Sequence, residues 1–247
     1  SLAVSDDVKK YLVECYGVNP HNIKITVNGI NTESFVPIRD DELRCNIEKK
    51  LGFSSDCRHR VMHVSRIDSA SSEAAYQLIE SVPELCKKFP DIEIVIIGDG
   101  TEYEMLKKRA EEMNNLMGYK SVFLLGARTD IAQLLACGDC FVGVSRAALE
   151  AMSCGLPVVL AGAQGFFGIF DESEESLNTA MRTNFCFRDM EGSSTDKLTK
   201  ALIGIFEYDK DKLLSMGMHG RDIIGKYYSV SKMADDAEKM YASAMEV

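Results

Sequence analysis

Short runs of β-branched and aliphatic residues alternate along this chain with longer stretches whose apolar positions recur every three or four residues. Continuous apolar runs bounded by turn residues mark buried strands, and the 3.6-residue period marks helices. Residues 61–64 form the first such run, ending at Ser65-Arg66. Leu78, Val82, Leu85 and Phe89 then share one face of a helix that closes at Pro90. Residues 92–97 predict a second strand, ending in Gly98-Asp99-Gly100, and a helix follows over 102–116. A third strand over 122–125 ends at Gly126, and a short helix covers 131–136. Residues 140–142 run through Gly143 into a helix over 146–153. Gly155-Leu156-Pro157 opens a fifth strand over 158–160, and a sixth is predicted near 184–187, beyond the acidic stretch 171–175. This alternation predicts an α/β fold, a Rossmann-like doubly wound parallel sheet of about six strands, since each parallel crossover needs a helix.

The flanks read differently. Residues 5–16 predict a helix capped by Ser5, 23–27 a lone strand ending in Asn28-Gly29, and 40–51 another helix. From Lys197 onward the pattern is helical, with Val230, Met233, Ala234, Ala237, Met240, Tyr241 and Ala244 on the last apolar face. The chain therefore divides into an entry segment (1–55), a sheet core (56–192) and C-terminal helices (193–247) of a single domain.

Composition narrows the partners. With 28 Lys and Arg against 38 Asp and Glu, the net charge of −10 argues against nucleic acid or an anionic membrane. A phosphorylated ligand remains compatible, because a few local donors suffice. No apolar run approaches the roughly 20 residues of a membrane helix. The eight cysteines are scattered and too sparse for a disulfide framework, which suits a reducing compartment.

Ligands of a doubly wound sheet gather outside the carboxyl ends of its strands. There the sequence places Ser65-Arg66, Gly98-Asp99-Gly100, Gly126-Ala127-Arg128, Gly143-Val144-Ser145-Arg146 and Gly162-Ala163-Gln164-Gly165. Small residues admit a ligand close to the backbone, and Arg forks suit phosphate. Helix capping explains any one of these glycines equally well; as a set they favour a nucleotide site. The turn into the helix at Ser145-Arg146-Ala147 is the best anion site, because free amides and the helix dipole converge there, although Ser145 also reads as a plain N-cap. Glu150 lies one turn on in an otherwise apolar stretch, where a carboxylate can accept two vicinal ribose hydroxyls; a solvated helix Glu is the competing reading. Cys137-Gly138-Asp139-Cys140 straddles a helix end and a strand start, which disfavours a redox pair, and no second CxxC or His pair completes a metal site. His63 reads as a core or cap residue. Hydrolase, P-loop and dinucleotide fingerprints are absent.

The run 149–159, LEAMSCGLPVV, resembles the LEAMACGLPVV signature of the family 4 (group 1) retaining glycosyltransferases. Residues 5–16 and 27–35 resemble the family's VSxxxKxxLxxxYGV and xNGIDxxxF segments, and 64–68 and 96–100 its xGRLxxxK and xxGxGP segments. The resemblance covers nearly the whole chain. It implies the C-terminal, donor-binding half of a GT-B fold, with Arg66, Ser145, Arg146 and Ala147 at the donor diphosphate. It implies Glu150 at the ribose, Gly126, Arg128 and Gly98 around the base, and Gly162, Gln164 and Gly165 as a sugar-side loop. The family's Lys falls at Ser71, and the first Glu of its E-x7-E pair falls at Val142. Asn184, Phe185 and Arg188 resemble a continuation found in a subset of the family.

The expected function is therefore nucleotide-sugar binding within a retaining transferase. Such an enzyme moves a hexosyl group, from a UDP-sugar or its like, to a glycan or lipid-linked acceptor in envelope polysaccharide biosynthesis. No metal or cofactor is expected. The acceptor domain, with most of the catalytic groups, is expected in about 130–200 residues before Ser1, so this chain alone is expected to be inactive. A cytoplasmic location follows from the resemblance, with the full-length protein peripheral at the inner membrane face. Two alternatives share these features: half of a GT-B nucleotide-sugar epimerase, which needs no acceptor, and a degenerate, non-catalytic scaffold domain.

Overall fold

The structure, a computed structural model, describes residues 2–245 apart from Arg39, Asp56, Arg58, Arg188 and Asp189; Arg188 of the subset continuation thus lies outside the described residues. Strands β1 (Leu2–Ala3) and β2 (Lys24–Ile25) pair in parallel around helix α1 (Asp6–Tyr16). The Ser5 hydroxyl caps α1 by accepting from the Val8 amide, and Gly17 ends it in the left-handed conformation. The strand expected to stand alone near 23–27 therefore has a partner, two residues long and too short to register as a pattern. Helix α2 (Asp41–Leu51) follows, capped by Asp40.

From β3 (Arg60–Val64) the chain alternates through α3 (Glu73–Lys88), β4 (Glu93–Ile97), α4 (Tyr103–Met117), β5 (Val122–Leu124), α5 (Ile131–Leu135), β6 (Cys140–Gly143), α6 (Ser145–Ser153) and β7 (Val158–Gly162). It then turns back as β8 (Gly165–Ile169) and continues as α7 (Glu174–Arg182), α8 (Thr195–Phe206), α9 (Lys210–Ile223) and α10 (Val230–Met245). The sheet order is β5-β4-β3-β6-β7-β8, parallel throughout except for β8, which runs antiparallel to β7.

Each central strand feeds two cores, as period-two geometry requires. Val61, Ile94, Ile96, Val142 and Val159 face α3, α4 and α8. Met62, Val95, Ile97, Phe141, Val158 and Leu160 face the layer of α5 and α6. At the amino ends of the strands the fully buried Arg60 donates to Glu48 at 2.6 Å and to Glu93 at 2.8 Å. Glu48 belongs to α2, so this ion pair ties the entry segment to the sheet core.

The sixth strand is not at 184–187. The aromatic residues there suggest a strand, but Asn184, Phe185 and Phe187 have φ values of +50°, +57° and +55°, in the left-handed region. Left-handed backbone cannot extend a ladder. The segment instead turns both rings inward, Phe187 stacking on Phe167 and Phe185 edge-on to Tyr228. The sheet edge is taken by β8, whose two glycines disguise it. In α10, Val230 and Tyr241 stand exposed, so part of the last apolar face is uncovered.

Candidate functional site

In chain order β3 comes first, β4 and β5 extend the sheet to one side, and β6 and β7 extend it to the other. The winding thus reverses between β3 and β6, and loops leaving there in opposite directions open a crevice. A cavity of about 860 Å³ lies at that point, a size typical of small-molecule sites. The carboxyl ends of β3, β4, β6 and β7 and the loop after β5 contribute to its wall.

Of the residues singled out in the sequence, Arg66, Gly98, Arg128, Ser145, Arg146, Ala147, Glu150, Gly162 and Gln164 line this cavity. Gly126 and Gly165 stand outside its wall. The Gly126 carbonyl accepts from the Gly98 amide at 2.9 Å, prolonging the β4–β5 ladder. Gly165 begins β8 beneath the Phe187 carbonyl, where a Cβ would come within 2.0 Å. Close approach also explains Gly98, whose φ is +150° and whose Cβ would meet the Ser65 carbonyl oxygen at 1.8 Å.

The start of α6 is shaped by the left-handed loop. Ser145 has a φ of +58°, and its amide donates to the Phe185 carbonyl at 2.7 Å. It is therefore the first helical residue and not an N-cap; Val144 holds that position with no side-chain bond. The next amides, of Arg146 and Ala147, are first-turn donors without intrahelical acceptors. With the positive end of the helix dipole they favour an anion at the cavity wall.

The cavity's three arginines differ in their freedom. The Arg128 fork is bidentate to Asp130, at 2.8 and 2.6 Å, and holds the Asp130 carboxyl below its ordinary range. Arg146 donates from Nε to Glu150 Oε1 at 2.8 Å. Arg66 is exposed and has no ion-pair partner among the described residues. Where the family carries its Lys, the Ser71 hydroxyl donates to Asp68 at 2.5 Å. Burial pushes the Glu150 carboxyl up, while the Arg146 charge pulls it back.

Sequence reasoning did not anticipate His63 and Cys186 in the wall. His63 is buried; its Nδ1 lies 2.8 Å from the Val142 carbonyl and its Nε2 2.8 Å from the Ser65 hydroxyl. A carbonyl can only accept, so Nδ1 carries the proton and Nε2 accepts from Ser65. Burial pushes the ring down to about 4, which keeps it neutral. No sequence signal marks either residue: His63 is brought there by the β3–β6 pairing and Cys186 by the left-handed turn around it. The CxxC cysteines are buried in ordinary core positions. Burial pushes the Cys137 thiol up to about 11 and raises Cys140 as well, the reverse of a reactive pair.

A doubly wound α/β domain with its crevice at the reversal point is the class this arrangement defines. Residues 58–186 match the model of the family described as glycosyl transferases group 1, and the chain belongs to that family. It is 30% identical over 235 residues to the sulfoquinovosyl transferase SQD2 of Arabidopsis thaliana, covering 92% of this chain and 41% of that protein. It is 29% identical to the UDP-Gal:alpha-D-GlcNAc-diphosphoundecaprenol alpha-1,3-galactosyltransferase of Escherichia coli, covering 97% of this chain and 59% of that one. The chain thus spans about half the length of these relatives. Among solved structures, the fold is shared with Anabaena Alr3699/HepE in complex with UDP, at a TM-score of 0.73, 18% identity, and coverage of 98% of this chain and 63% of that one. It is also shared with the C-terminal domain of the Francisella tularensis glycosyl transferase LpcC, at a TM-score of 0.59, 19% identity, and coverage of 82% of this chain and all of that one. Among the described residues no helix is long and apolar enough to cross a membrane.

Proposed function

We propose that this chain is the donor-binding half of a retaining hexosyltransferase and that its cavity takes a nucleoside-diphosphate sugar. The observation that carries this reading is the convergence on one crevice of Arg66, free of ion pairs among the described residues, the α6 amides and the half-buried Glu150. Arg66 and the amides of Arg146 and Ala147 meet the diphosphate, where they stabilise the charge that grows on the leaving group. Glu150 accepts the ribose hydroxyls, Ala127 and Arg128 flank the base, and the turn from Gly162 to Gln164 borders the sugar. In this reading the positive charge comes from the protein, so donor binding should survive excess EDTA.

The acceptor site and most catalytic groups belong to a further domain, and the 247-residue chain alone transfers nothing. The diphosphoundecaprenol-linked acceptor in the name of the Escherichia coli relative supports a glycan or lipid-linked acceptor here, and a place at the cytoplasmic membrane face is part of the same proposal. Titration calorimetry with UDP, GDP and ADP tests the donor site: one should bind preferentially, and Arg66→Ala should weaken it tenfold or more. Binding of none of the three would overturn the proposal. Ser71 and Val142, in place of the family's Lys and Glu, motivate the scaffold alternative, which sugar transfer by the full-length protein would exclude.

A further inference from the structure

Arg146 and Glu150 stand one turn apart on α6, and both form part of the cavity wall. The two are unequally exposed, with 55% of the Arg146 side chain accessible but only 13% of the Glu150 side chain. An anion so withdrawn from water is costly unless it is paired. Among the described residues, Arg146 is the one side chain bonded to the Glu150 carboxylate, through Nε to Oε1 at 2.8 Å. That bond uses one oxygen and one nitrogen. Oε2 remains to accept from a ligand, and the two Nη groups of Arg146 have no partner among the described residues. The pair is therefore asymmetric: a solvent-facing cation fixes the rotamer and charge of a sheltered anion, much as a surface i,i+4 pair does but at a site where the anion has work elsewhere.

We infer that Arg146 is a positioning residue, acting through Glu150 to fix the carboxylate that receives the ribose hydroxyls of a ribonucleoside diphosphate. The inference rests on the nucleotide-sugar reading above and adds to it the residue that makes ribose recognition possible. Contact of Arg146 with phosphate alone predicts something different. A phosphate-reading Arg affects only ligands that carry phosphate, whereas a residue acting through Glu150 affects the bare nucleoside too.

The test uses the full-length protein and the base preferred among UDP, GDP and ADP. Affinities are measured for the matching diphosphate, for its nucleoside and for the 2′-deoxynucleoside, the last two by competition. Arg146→Gln should weaken the nucleoside at least fivefold and abolish the preference for ribose over 2′-deoxyribose. Arg146→Lys, which keeps an i,i+4 cation, should restore most of both. The double variant R146Q/E150Q should bind the nucleoside within twofold of E150Q alone. Unchanged nucleoside affinity in R146Q, or additive losses in the double variant, would overturn the inference while leaving the donor site intact. Failure of all three diphosphates to bind wild-type protein removes the site reading itself and this inference with it.

Discussion

His63 shows how a single side chain takes its properties from strands far apart in sequence. Its ring is neutral because burial between β3 and β6 holds it at about 4, against an ordinary value near 6.5. Between those values the unfolded chain binds a proton that the folded chain refuses. Stability is therefore complete above the unfolded pKa and is lost as pH falls toward the folded one. For this one group the linkage relation gives a loss of about 2 kcal/mol between pH 7 and pH 5. Urea unfolding at both pH values should show that loss in the wild type and a shallower one in His63→Gln; an equal slope in the variant would show that His63 is not responsible. The sequence placed His63 within a strand, but not beside the Val142 carbonyl. That neighbour is 79 positions away and is supplied by the β3–β6 pairing.

Among the helices, glycine reports how closely neighbours pack. Gly217 in α9 lies against the turn that ends α6, where a Cβ would sit 1.9 Å from the Gly155 carbonyl oxygen. Gly204 in α8 has only the tip of Ile169 near it, at 3.5 Å. Helix propensity alone favours alanine at both positions by about 1 kcal/mol. Gly204→Ala should accordingly raise the melting temperature and Gly217→Ala should lower it, as read by thermal unfolding followed by circular dichroism. A rise in both would mean that α9 can move away from α6 at little cost. Every helix but α7 was legible from its period, and the five parallel strands from their continuous apolar runs. The hairpin strand β8 and the helix α7 were not, because glycines interrupt the apolar positions of β8 and charged and polar residues crowd those of α7. The loop at 184–187 was misread for a further reason: β-type residues held left-handed by ring packing carry no local signal of that conformation.

Across the whole molecule, order is unevenly distributed. The strands β3 and β4 are buried almost throughout, whereas α1 buries none of its residues and α10 leaves Val230 and Tyr241 in solvent. Amides protected only by exposed helical bonds open at low cost. Hydrogen exchange on this chain should therefore be fast in α1 and α10 and slow in β3 and β4. In the full-length protein the proposed acceptor domain should slow exchange in α1, and unchanged exchange there would count against that partner. The amino-acid sequence alone determined the α/β class, the family, and which strand ends carry small residues and arginines, because these follow from local periodicity and short motifs. Only the tertiary structure decided which of the arginines stays without an ion pair among the described residues, that Gly126 and Gly165 serve the sheet edge and not the cavity wall, and that Ser145 surrenders its amide to Phe185. Those outcomes depend on hydrogen bonds, ion pairs and backbone contacts, several of them between residues tens of positions apart, whose distances exist only once the sheet has closed.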